Sequence, residues 1–316
     1  MSRKYATRVA FALLYLLMIL PGTLTAHSAG LALPSSLPAM HYVALGDSLA
    51  SGVEVYFWIN PYASRYRDFM QEDLNSHRRW LLVAHSNEGQ DRVSSDEFLK
   101  ILAQPDVQEE LRSADVITWD IGGNDLRIAR QVYRDGECGP PEKPTECLQV
   151  AVDHLKGNLI RVETMLEMLP PPASGRTRVL RTMDYYYAFV AEDREEGNLE
   201  TMLPFIQDLN AFVWREICQE NAIGVHSKCA RIFRVFNGEA TTGGVRDPIA
   251  AGLVTVLDWI HPTNYGHEVI ADQLRCLGYP ELGFGAAPDA CDKVAEATVE
   301  PGEEFQGTLH LPISLR

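Results

Sequence analysis

Short apolar runs alternate with longer segments of helical spacing along most of the chain. The runs at 41–45, 80–84, 116–121, 178–183 and 231–236 show little polar alternation. Strands of that kind are buried on both faces, as in a parallel sheet. Between the runs, residues 62–75, 95–102, 149–169, 204–221 and 263–276 read as helices. The third of these places Val152, Leu155, Leu159, Val162, Leu166 and Leu169 on one stripe. Pro61 stands just ahead of the first, where a proline suits a helix start. The alternation predicts a three-layer α/β/α fold with right-handed crossovers and a flavodoxin-like central parallel sheet of about five strands. Pro170-Pro171-Pro172 reads as a loop within that domain, and no internal repeat interrupts it.

The two ends depart from this pattern. Arg3, Lys4 and Arg8 precede an apolar run from Val9 to Leu20, then Pro21-Gly22 and small residues around Ala26 and Ala29. That is the layout of a secretory signal peptide, residues 1–30, with cleavage expected between Ala26 and Gly30. The run is short for a membrane span. The expected hydrolase domain covers 31–291, and 292–316 form an acidic tail to which no role is assigned. The chain has 316 residues, 46% of them hydrophobic, and a formal charge of −15. Loss of the leader would make the charge about −18. So acidic a protein is a poor electrostatic partner for nucleic acid or an anionic membrane. A secreted monomer without a stable membrane anchor is expected.

Export would carry the six cysteines into an oxidising compartment. They fall into local pairs with 8, 10 and 14 residues between partners, which predicts Cys138–Cys147, Cys218–Cys229 and Cys276–Cys291. Free thiols are the alternative. Neither a CxxC pair nor a Cys/His ligand spacing points to a metal. His261 and His267 are six apart, off a common helical face.

In open α/β sheets, ligands bind beyond the carboxyl ends of the strands. Ser48 follows the first apolar run and Gly89 the second. Gly122-Gly123-Asn124-Asp125 closes the third, and Asp258-Trp259-Ile260-His261-Pro262 opens the last helix. Taken singly, Ser48 could be a helix cap, His261 a capping or core histidine, and Gly122-Gly123 a phosphate turn. Taken together they resemble the four blocks of the GDSL or SGNH hydrolases, a family of serine esterases and lipases. The likeness runs over residues 42–274 in the family's chain order.

The resemblance implies a Ser48–His261–Asp258 triad and an oxyanion hole built from the Ser48 N–H, the Gly89 N–H and the Asn124 amide. Elementary chemistry agrees. A serine hydroxyl needs an adjacent base, and the base needs a third group to orient it. Asp258 stands three residues before His261 on one loop. No G-x-S-x-G elbow surrounds Ser48, which separates the chain from the α/β-hydrolase order. Asp47 and Asp125 are expected to be structural, accepting backbone hydrogen bonds. The expected activity is hydrolysis of a small-molecule or lipid ester through an acyl-enzyme, without cofactor or metal. A polysaccharide O-deacetylase is the alternative within enzymes, and a non-catalytic binder on the same fold lies outside them. Tyr56-Phe57-Trp58, Tyr185-Tyr186-Tyr187 and Trp259 are expected near the pocket edge, with tyrosine hydroxyls at its wet margin. Short to medium acyl groups are expected, since no long apolar helix offers a lid.

Overall fold

A computed structural model describes residues 39–52, 60–76, 82–218, 226–238 and 243–283. The expected leader, Tyr56-Phe57-Trp58, Cys291 and the acidic tail lie outside the described residues. In chain order the elements are β1 (Ala39–Leu45), α1 (Ser48–Ser51), α2 (Tyr62–Ser76), β2 (Leu82–Asn87), α3 (Ser95–Leu102), α4 (Pro105–Ser113), β3 (Val116–Trp119) and α5 (Gly123–Arg134). They continue with α6 (Glu146–Glu167), β4 (Val179–Met183), α7 (Val190–Glu196), α8 (Leu199–Phe212), β5 (Ser227–Ala230), α9 (Ile232–Asn237) and α10 (Asn264–Cys276).

The five strands pair in parallel in the order β2-β1-β3-β4-β5. This is the expected flavodoxin-like sheet. The chain leaves β1 in one direction to reach β2 and crosses back to β3 on its other side. A crevice opens at that reversal, beyond the carboxyl ends of β1 and β3.

Strand alternation gives each face of the sheet its own core. Tyr42 and Ala44 of β1 pack with Tyr62, Tyr66 and Met70 of α2 and with Ile270 and Leu274 of α10. Val43 and Leu45 pack with Phe98 and Leu102 of α3 and with Leu155 and Leu159 of α6. The predicted stripe of α6 is buried from Val152 to Leu166, each side chain contributing about 1.5–3 kcal/mol.

The last strand differs from expectation. Residues 231–236 form most of α9, and β5 is the preceding Ser227–Ala230. Ile232, Phe233 and Phe236 lie on one buried helical face, a period that a short apolar run disguises. β5 was hidden because Ser227 is fully buried yet polar. It donates from N–H and Oγ to the Glu163 carboxylate and accepts from Trp119 Nε1. The helix expected over 204–221 begins earlier, at Leu199, and carries Pro204 inside it. An internal proline costs about 3 kcal/mol. Burial of Leu199, Met202, Leu203 and Ile206 offsets that cost.

The structure joins Cys138 to Cys147 and Cys218 to Cys229. The partner expected for Cys276 lies outside the described residues. Cys138 is buried in one cluster with Ala129, Leu148, Met202 and Ile206. Reducing both bridges is expected to lower thermal stability, each bridge contributing about 2–4 kcal/mol. Melting curves with and without reductant, alongside mass spectrometry of peptides from unreduced protein, test this; six free thiols would contradict it.

Candidate active site

The crevice is built first by glycines. Gly46 ends β1 at φ 150°, and a Cβ there would sit 2.6 Å from the Asp120 carbonyl oxygen. Without a side chain, the loops after β1 and β3 can touch. Asp47 then caps the single turn of α1 by accepting the Leu49 N–H at 3.0 Å, and Gly52 closes that turn onto the Ser48 carbonyl at 3.0 Å. Ser48 is thereby held at the mouth of the crevice, 8% exposed.

His261 arrives from the other end of the chain. Its Nε2 lies 2.8 Å from Ser48 Oγ and its Nδ1 lies 2.8 Å from Asp258 Oδ2. Asp258 Oδ1 accepts the N–H groups of Ile260 and His261, each at 3.0 Å. Burial opposes charge on Asp258, yet these donors and the imidazole hold its carboxyl below the usual range. The turn around the carboxylate puts Trp259 in the left-handed region, φ 62°. Such a conformation costs an L-residue about 1–2 kcal/mol, and strain of this kind gathers at functional sites. The Tyr186 hydroxyl donates to the Ile260 carbonyl at 2.6 Å, and the Thr263 side chain caps α10 through the Gly266 N–H.

Asn124 sits in the first turn of α5, after Gly122 at φ 111°. One amide N–H donates to the Val93 carbonyl at 3.1 Å, which leaves the other for a ligand. Asp125 accepts the Ser95 N–H and hydroxyl at 2.9 and 2.7 Å, tying α5 to α3. Asp47 and Asp125 thus take the structural parts expected of them.

Gly89 does not join the others. Its N–H donates to Asn87 Oδ1 at 3.0 Å, and it is absent from the cavity wall. A Cβ at Gly89 would lie 2.6 Å from the Ser51 nitrogen, so its glycine serves the close seating of α1. The wall residues from this loop are Asp91 and Arg92, the latter at φ 57°. A left-handed position usually holds glycine, and here it holds arginine.

Three other histidines have structural partners. His267 is fully buried, accepts the Tyr62 N–H at 3.2 Å, and is pushed down to about 3, chiefly by burial. His154 meets Asp96 at 3.0 Å, and His226 meets Glu167.

Two carboxyls lie behind Ser48. Burial raises Asp47 to about 6, and burial together with Asp47 raises Asp120 well above the carboxylate range. Tyr62 donates to Asp120 Oδ2. In the unfolded chain both would ionise near pH 4. The fold therefore binds more protons above that pH, and stability falls as pH rises from about 4 through the folded values. Asp120→Asn is expected to be more stable than the parent at about pH 8, with the gain vanishing below about pH 4. Urea unfolding across that range measures it, and a gain independent of pH would contradict the assignment.

A cavity of about 430 Å³ opens beside Ser48, Asn124 and His261. Tyr185, Tyr186 and Tyr187 all line it. Their hydroxyls are not at a wet margin: they bond inward to the Ile121 carbonyl, the Ile260 carbonyl and Asp193. Trp259 is half exposed on the loop between Asp258 and His261.

A family model described as GDSL-like Lipase/Acylhydrolase matches residues 42–274. The chain is 28% identical over 246 residues to the spore germination lipase LipC of Bacillus licheniformis, spanning 77% of this chain and 98% of that protein. Among solved structures, the lipase Lip_vut3 from a goat rumen metagenome shares the fold with a TM-score of 0.57. It is 23% identical, over 78% of this chain and 98% of that one. With most of its length matched, the chain belongs to the GDSL-like lipase and acylhydrolase family and is a serine carboxylic ester hydrolase.

Proposed function

We propose that the protein is a secreted esterase in which Ser48 attacks the acyl carbon of a short to medium acyl ester. The observation that carries this reading is the unbroken chain from Ser48 Oγ through His261 to Asp258, two contacts of 2.8 Å. His261 takes the Ser48 proton and returns it to the departing alcohol. Asp258 fixes the ring so that Nε2 faces the serine, and balances the imidazolium. The oxyanion is served by the Ser48 N–H and the Asn124 amide. The Gly89 N–H is left out of this scheme because Asn87 holds it. Water attacks the acyl-enzyme by the same proton path in reverse. No cofactor takes part.

Secretion is proposed from the leader at 1–30, and the two bridges accord with an oxidising destination. Among the described residues no helix is long and apolar enough to cross a membrane. A monomer free of the membrane is the working form we propose.

A fluorophosphonate probe should label the folded protein at Ser48, more slowly when an ester substrate is present in excess. Folded protein that takes no label would point instead to a binder. Soluble short-chain esters should be cleaved faster than emulsified long-chain ones. A sharp rise at the solubility limit would make the protein a lipase activated by interfaces. Acetylated glycans in the same assay separate the deacetylase alternative.

A further inference from the structure

We propose that the cavity beside Ser48 is a blind acyl-chain chamber, and that side chains of α6 and α8 set the chain length it admits. The inference rests on the esterase reading and adds where the acyl group lies and what limits it.

The cavity begins at Ser48 and His261 and continues under α5 to Val152 and Leu159 of α6 and to Met202, Phe205 and Ile206 of α8. At about 430 Å³ it is in the range of small-molecule sites. It therefore offers an acyl group much more than a surface groove.

Several polar groups of the inner wall are already engaged by the protein. Thr182 donates to the Trp119 carbonyl at 2.7 Å, and Tyr185 donates to the Ile121 carbonyl. Tyr187 donates to Asp193, which also pairs with Arg130. Asp184 accepts from Trp214 Nε1 at 2.9 Å and from the Phe233 N–H at 2.8 Å. Asp91, Arg92 and Arg127 add charged groups to the lining, and the rest of the wall is mostly methyl, methylene and ring surface. A sugar or charged acyl group entering there would lose its water without gaining partners. An alkyl chain would gain from each methylene removed from water, on the order of fourfold in kcat/KM per carbon.

The far end is closed by the core. Leu159 and Val213 are 1% and 2% exposed and belong to the cluster between the sheet and α6. A chain long enough to press on them would have to disturb close packing, which is unfavourable. The gain per methylene must therefore stop, and the residues on the way determine where.

The test is a ladder of p-nitrophenyl esters from acetate through butyrate, octanoate and dodecanoate to palmitate. The leaving group is constant, so only the acyl group varies. In wild type, kcat/KM is expected to climb with chain length, reach a maximum at an intermediate ester and fall by palmitate. Each variant is read as the ratio of octanoate to acetate activity within that same protein. Val152→Phe should lower this ratio on the order of tenfold and move the maximum toward butyrate. Phe205→Ala, which removes bulk and does not risk overpacking, should move the maximum toward longer chains; it carries the test if Val152→Phe fails to fold. A wild-type ladder flat in chain length, or a maximum unmoved in folded Phe205→Ala while acetate is still hydrolysed, would overturn the chamber and leave the esterase standing. Wild type that cleaves no ester of the ladder and takes no fluorophosphonate on Ser48 would overturn the esterase reading, and the chamber with it.

Discussion

Ser48→Ala is expected to lower kcat on the order of a million-fold, and His261→Ala by nearly as much. The two side chains share one task, since Ser48 Oγ can attack only as its proton passes to His261 Nε2 across their 2.8 Å hydrogen bond. Removing both should therefore cost little more than removing either. Asp258→Asn is expected to cost one to two orders of magnitude less. The amide keeps a hydrogen-bonding side chain in the turn but no longer balances the imidazolium, and it can present the wrong group to Nδ1. Single-turnover rates on a soluble ester, with folding checked by circular dichroism, measure the series. Wild-type-like turnover in Ser48→Ala would end the assignment.

What made the proposed triad legible was that its parts are local in sequence even though they meet across 213 residues. Asp258 and His261 share one turn, and Ser48 follows directly on the apolar run of β1. Asn124 was legible for the same reason, after a glycine pair at a strand end. Gly89 was misplaced because the loop after β2 signals by residue type, while its geometry is set by contacts. The glycine is needed against Ser51, and the left-handed wall position belongs to Arg92. Tyr186 was noticed as an aromatic ring, but its bond to the Ile260 carbonyl depends on a partner 74 residues away.

The same distinction runs through the fold. Strands β1, β3 and β4 are buried on both faces and announce themselves by composition. β5 is also buried, but its signal is masked where Ser227 satisfies Glu163 and Trp119. α5 was missed because it starts on Gly122-Gly123 and carries Arg127, Arg130 and Arg134. Arg130 is buried nonetheless, held by Asp193 at 2.6 Å and lying over the Phe189 ring. Fully buried Arg181 in β4 is a like case, with Glu281 and the Gly278 carbonyl around its guanidinium. Charges that find partners far along the chain defeat any reading based on local polarity.

Gly266→Ala should show how much of the site depends on such a distant contact. A Cβ at this position would fall 2.0 Å from the Leu253 carbonyl oxygen and 2.9 Å from Pro262 Cβ. Neither neighbour can yield easily. The Leu253 carbonyl accepts the Thr263 N–H at 2.9 Å, and Val254 bridges to Pro262, so both belong to the strap that presents His261. α10 must therefore move away from the strap, or the strap must open. Either way the Thr263 cap on the Gly266 N–H is disturbed, and His267 is pulled from the Tyr62 N–H. The expected loss is about 3 kcal/mol or more, at the upper end for overpacking, which corresponds to a fall of roughly 6–12 °C in Tm for a domain of this size. Activity should fall further than the folded fraction does, because the 2.8 Å contact between His261 and Ser48 lies at the end of the displaced strap. Thermal melts and kcat measured well below the new Tm separate the two effects. A variant with lowered Tm and full kcat would show that the strap holds His261 without help from α10, and a variant unchanged in both would show that Gly266 does not sit against Leu253.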